Sequence, residues 1–198
     1  MRLFFLLAIY LLGACNSFKK DHSHFKKIIP DSTGGFYSKQ FHNDYLSTRQ
    51  VVDSLKLQDI TNGVNNEQIW FWNLSSAYDP QTIYILQRNS TTNWNLRFLQ
   101  YDANSKKAIV DRSKSLNGTF FDSLKFKHLW DLPSQSELKD GDRYGCLDGN
   151  TVLIEIADST RYKYIAYRCP GIHVNKDSAF YYVNEISQFL DQAGRTNQ

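Results

Sequence analysis

Three sets of side chains in this sequence have the types and spacing to do chemistry. The first is carboxylates in the C-terminal half: Asp131, Asp140, Asp142, Asp148 and Glu155. Paired carboxylates can serve as general acid and base, so these would form the catalytic set of a hydrolase. Asp140 and Asp142, separated by one residue in "DGDRYGCLDG", also open like a calcium loop, but the later oxygen ligands and the closing Glu are missing. Asp and Gly cluster in loops for turn chemistry alone, and Asp148-Gly149 reads most simply as a turn before a strand. The second set is imidazoles. His22 and His24 could share a metal, whereas His42, His128 and His173 stand alone in the sequence. No Ser-His-Asp set, metal-ligand cluster or phosphate loop stands out. The sequence therefore assigns no catalytic residue, no metal and no cofactor.

The third set is thiols: Cys15, Cys146 and Cys169. Cys15 closes Leu12-Gly13-Ala14-Cys15, after Met1-Arg2 and a run of ten apolar or near-apolar residues. That run is too short to span a bilayer, which takes about 20 helical residues. One positive charge, a short apolar core and small residues before a break make a secretory signal. The break resembles the lipobox of bacterial lipoproteins, with Gly13 a mild departure from the usual Ala or Ser. The resemblance implies cleavage before Cys15, a diacylated thiol and acylation of the new amino group with chains such as palmitate. Two or three chains hold stably where one would not. An ordinary signal peptide with a chance cysteine is the alternative. The expected location is the cell envelope, with the protein facing the periplasm or the cell surface. Cys146 and Cys169 then form an even pair in an exported domain, which reads as a disulfide. A catalytic thiol competes with that reading, but no His/Asn arrangement accompanies it.

The chain has 198 residues, a formal charge of +3 and 15% aromatic residues, including 12 Tyr and 4 Trp. So mild a charge leaves no electrostatic footprint for nucleic acid. Residues 1–14 read as the signal, 15–36 as a lysine-rich tether and 37–198 as one domain large enough for a real core. "IWFWNL" (69–74), "TIYILQR" (82–88), "NLRFLQY" (95–101) and "KAIVDRS" (107–113) read as an antiparallel meander, with a turn signal at Asp79-Pro80. "TVLIEIA" (151–157) and "RYKYIAYRC" (161–169) read as a hairpin pairing Val152 with Tyr167, Ile154 with Ile165 and Glu155 with Tyr164. A C-terminal helix follows from Ala179, Val183, Ile186, Leu190 and Ala193, with Ser178 and Gly194 as caps. A helix is also expected over 117–129, and 45–57 fits strand and helix alike. The fold class is α+β: an antiparallel sheet of about six strands with two or three helices on one face.

Trp70, Trp72, Tyr84, Tyr162 and Tyr164 could share a sheet face, either as a surface for sugars and partners or as core beneath a helix, which is the favoured reading. Asp148 and Glu155 complete the candidate binding residues, with Glu155 and Arg168 a candidate cross-strand pair. The order Leu124-Lys-Phe126, Leu129-Trp130-Asp131-Leu132-Pro133, Asp148-Gly149, Glu155, Tyr164 to Arg168 and Cys169-Pro170 is similar to a widespread group of small uncharacterised bacterial proteins. That resemblance implies α+β architecture and no activity. "YGCLDG" (144–149) also resembles the Tyr-x-Cys-x-x-Gly motif of lysozyme inhibitors, whose companion Ser-Gly-x-x-Tyr motif is absent here. The expected function is a lipid-anchored, non-enzymatic binding module, held to the membrane through Cys15 and meeting a protein or glycan partner. The alternatives are a hydrolase inhibitor or immunity lipoprotein, and a carboxylate-dependent hydrolase.

Overall fold

A computed structural model describes residues 24–75, 80–118 and 128–195. The signal, Cys15, His22, the turn at Asp79 and most of the helix expected over 117–129 lie outside the described residues. The described chain is an α+β domain: β1 (Lys26–Ile28), α1 (Phe36–Ser54), β2 (Gln68–Leu74), β3 (Gln81–Arg88), β4 (Asn93–Tyr101), β5 (Ala108–Asn117), β6 (Thr151–Ala157), β7 (Arg161–Arg168) and α2 (Ser178–Arg195).

The sheet has seven strands in the order β1-β7-β6-β2-β3-β4-β5. The expected meander is β2 to β5, and the expected hairpin is β6–β7 with Glu155 opposite Tyr164 and Ile154 opposite Ile165. One strand is new, and it makes the sheet mixed. Lys26–Ile28, from the stretch read as tether, pairs in parallel with Arg161–Lys163 of β7.

The helices do not share a face, contrary to expectation. Tyr37, Phe41, Tyr45 and Val52 of α1 pack on the face carrying Trp70, Trp72, Leu153 and Tyr162. Phe180, Val183, Ile186 and Leu190 of α2 pack on the opposite face, carrying Phe71, Tyr84, Ile154 and Tyr167. Two covered faces explain why β6 is buried along its whole length. They also explain why its sequence is apolar on both faces around Glu155 and does not alternate.

The block around Trp130-Asp131-Leu132-Pro133 covers the edge of β7 beyond β1. Ala166 N donates to Ser134 Oγ at 3.1 Å, Arg168 N to Gln135 Oε1 at 2.7 Å, and the Tyr167 hydroxyl to Pro133 O. Lys163 Nζ donates to Trp130 O at 2.8 Å, and the Arg161 guanidinium stacks over the Trp130 ring at 3.8 Å. An open strand edge is thereby satisfied without another strand. The caps of α2 also differ from expectation. Asp177, not Ser178, takes the Ala179 N–H, at 2.8 Å. Arg112 and Lys114 donate to the terminal carbonyls of Gly194 and Ala193, where cations also suit the helix dipole. Gly194 is there for room, since a Cβ would lie 2.8 Å from the Phe98 ring and 2.9 Å from Tyr84.

Candidate functional site

The five candidate aromatic side chains are all core. Trp70, Trp72, Tyr162 and Tyr164 do share one face, but α1 lies on it. Tyr84 is on the other face, because the β2–β3 register sets it opposite Phe71. Side chains alternate along a strand, so pairing with Phe71 puts Tyr84 on the face away from Trp70 and Trp72.

Glu155 lies beneath α1 and is 0% exposed. Its Oε1 accepts the Trp72 indole N–H at 2.7 Å and its Oε2 the Tyr162 hydroxyl at 2.7 Å. Arg49 of α1 donates to the same Oε2 and reaches Asp59 at 3.4 Å. Arg168, the partner expected from sequence, is elsewhere: it stands opposite Thr151 and donates to its Oγ1 at 2.8 Å. Burial pushes the Glu155 carboxyl above its ordinary range, and Arg49, Tyr162 and Trp72 pull against that. Burial likewise opposes the Arg49 charge, but Glu155, Tyr162, Tyr45 and Asp59 outweigh it and raise the guanidinium. With three donors on its two oxygens, Glu155 is a structural anion that fastens α1 to the sheet.

One turn before Arg49, Asp44 carries a buried Oδ2 with no hydrogen-bond partner, as does the Tyr164 hydroxyl nearby. Burial pushes the Asp44 carboxyl from 3.8 up to about 6, with Arg168 acting in the opposite direction. A raised acid favours the neutral form in the fold, so its ionisation is destabilising. That penalty is absent below pH 3.8, grows as pH rises through about 6, and reaches about 3 kcal/mol. Asp44→Asn is therefore expected to stabilise the domain by about 2–3 kcal/mol at pH 7.5 and hardly at all at pH 3.5. Urea unfolding of both proteins at the two pH values checks it; an equal difference at both would contradict the titration.

The remaining candidate carboxylates do not converge on Glu155. Asp131 and Asp148 are exposed. Asp140 pairs with Arg143 at 3.3 Å. Asp142 sits at the N-terminus of α1, accepting the Tyr37 N–H at 3.3 Å, where a carboxylate suits the helix dipole. Among the described residues no three His, Cys, Asp or Glu side chains are grouped to hold a metal. His24 is described without its neighbour His22, His42 faces Pro30 O, and His173 Nε2 is 3.3 Å from Gly145 O.

The most heavily braced surface element is the loop leading into β6. Cys146 and Cys169 form the expected disulfide. A Cβ at Gly149 would collide with both sulfurs, so only glycine lets the chain pass. The buried Gln135 amide donates to Gly141 O at 2.9 Å and Tyr144 O at 2.5 Å. Asn150 donates to Asn73 at 2.9 Å, and the Tyr144 ring packs on His173 and Phe180. From this fixed loop Leu147 projects with 95% of its surface exposed. Phe36, beside the Asp142 cap, and Ile172, three residues past Cys169, are 70% and 66% exposed. The chain enters the domain far from here. Lys26 N donates to Thr160 O at the start of β7, roughly 25 Å along the strand from Cys169.

No protein-family model and no curated protein matches the chain. Its site must be read from geometry, and the geometry separates a buried anion that holds the fold from a disulfide-tied polar loop at one pole that exposes Leu147. Arg49 and Gln135 carry no signal in the sequence because Glu155 and Arg168, which they meet, are far away in the chain, and Asp44 carries none because its burial is set by the fold. Leu147 had a signal: an apolar residue between Cys and Asp-Gly in a turn has no core to enter.

Proposed function

We propose that this is a lipid-anchored protein of the bacterial envelope, a non-enzymatic interaction module that presents its disulfide-tied pole to a protein partner. Leu12-Gly13-Ala14-Cys15 supports the anchor, and a disulfide suits an oxidising compartment. The observation that carries the partner reading is Leu147, next to the disulfide-bonded Cys146 and almost fully exposed at the end of the sheet opposite β1. The stretch from residue 15 to 25 reaches roughly 35 Å at most. It joins at the Thr160 end, which leaves the Leu147 end free to face away from the bilayer. The Asp148 carboxylate beside Leu147 likewise disfavours anionic headgroups. A preorganised apolar side chain with a charged neighbour is the form of an interface anchor.

Two measurements test this. Cys15→Ala is expected to move the protein from the membrane pellet to the soluble fraction, and membrane retention removes the anchor. A photo-crosslinking residue at position 147, in the anchored protein in its own envelope, is expected to capture one protein at near-equal amount. Leu147→Asp should weaken association with that protein by about tenfold or more. Equal capture from Ile109, an exposed residue on β5, or no protein captured from 147, overturns the partner reading.

A further inference from the structure

A second feature of the same pole takes no part in the partner reading. Between the ends of β2–β5 and the last turns of α2 runs an open groove of about 410 Å³. Asn73, Thr82, Phe98, Gln100, Arg112 and Asp191 line it. The register sets them side by side, with Asn73 opposite Thr82, Thr82 opposite Gln100 and Phe98 opposite Arg112. Four paired strands and a helix hold these six residues, and Ser75 and Pro80, just past the strand ends, complete the lining.

The charges in this groove are committed within the protein. Arg112 donates to Gly194 O at 3.3 Å and lies over the Phe98 ring at 5.0 Å. Asp191 accepts the Tyr84 hydroxyl at 2.6 Å. With one cation and one anion among its lining residues, the groove carries no net charge to favour an ionic ligand. The wall otherwise offers the Thr82 and Ser75 hydroxyls and the Gln100 amide, which donate and accept at once, and the Asn73 amide, whose Oδ1 already accepts from Asn150. That pattern matches neighbouring hydroxyl groups on one small molecule. We infer that the groove binds a neutral saccharide of one or two rings' length. This goes beyond the protein-partner reading and depends on neither the anchor nor Leu147.

The test is ligand-observed saturation-transfer NMR on the full chain in detergent, with maltose and N,N′-diacetylchitobiose as neutral probes and Ala-Ala as a zwitterionic comparator. Saturation transfer to a neutral saccharide is expected at concentrations up to about 10 mM, where even weak binding registers. Gln100→Ala should weaken it about tenfold, the worth of one well-made hydrogen bond. Thr82→Val, which keeps the side-chain shape, should act in the same direction, and far-UV circular dichroism confirms the fold of each variant. No transfer to either saccharide overturns the inference. So does transfer that both variants leave undiminished, or binding of Ala-Ala alone.

Discussion

Glu155→Ala is expected to cost the domain about 3–5 kcal/mol, the usual loss when one partner of a buried ion pair is removed. That is a large fraction of a typical domain's 5–15 kcal/mol. The substitution leaves the Arg49 guanidinium with Asp59 at 3.4 Å, Thr48 Oγ1 at 3.5 Å and the Tyr45 ring at 5.4 Å, and strands the Trp72 indole N–H and the Tyr162 hydroxyl. Each buried, unpaired donor costs about 1–3 kcal/mol. The double variant Arg49→Met with Glu155→Met is expected to recover part of the loss, since removing both charges removes their desolvation cost. It should not recover everything, because Trp72 and Tyr162 still lack an acceptor. Urea unfolding of the three proteins measures both statements. A loss below 1 kcal/mol for Glu155→Ala would show that the anion does not hold α1 in place.

The same experiment separates structure from chemistry. The hydrolase alternative gives Glu155 a working role, yet its two oxygens already accept from Trp72, Tyr162 and Arg49. Glu155→Gln keeps the shape and one good acceptor. It is expected to lower the unfolding midpoint while leaving partner capture at position 147 intact below that midpoint.

Strand order within the meander and the β6–β7 register were legible because each depends on near neighbours in sequence. A turn such as Asp158-Ser159-Thr160 fixes the hairpin, and a period of two then places every side chain. The face taken by α1 was not legible. Its buried residues include Tyr37, Tyr45 and Thr48, among His, Asn, Asp and Ser residues that favour helices weakly. The apolar stripe is therefore aromatic and polar, and 45–57 fitted a strand equally well. Two-sided burial did leave a trace. "VLI" within "TVLIEIA" and "IWFW" are apolar runs without alternation, as strands covered on both faces require. The charge inside "TVLIEIA" was a second trace: a carboxylate there needs a buried cation. That cation is 106 residues away on α1, a distance no local pattern spans. β1 was hidden for a simpler reason, being three residues long with two lysines.

Replacing Cys146 and Cys169 together by Ser is expected to lower stability by about 3 kcal/mol, the loop-closure term for this separation of 23 residues. The loss has a second effect on the Leu147 loop. Gln135, the Asp142 contact with α1 and the His173 contact with Gly145 still hold the loop at Gly141–Gly145. Leu147 and Asp148 lie beyond those contacts, and the bond at Cys146 is their nearest tie to β7. Limited proteolysis at 145–150 should therefore speed up in the double variant well before global unfolding, with the core strands still protected. Partner capture at position 147 should fall with it, since an ordered loop loses less entropy on binding than a mobile one. The wild-type protein under reductant should behave alike only once urea opens the core, because Cys169 is buried beneath the loop. Unchanged cleavage and unchanged capture in the double variant would mean that the hydrogen bonds alone set the loop. The disulfide would then contribute through the unfolded chain only, and rigidity would no longer explain why Leu147 stands in solvent.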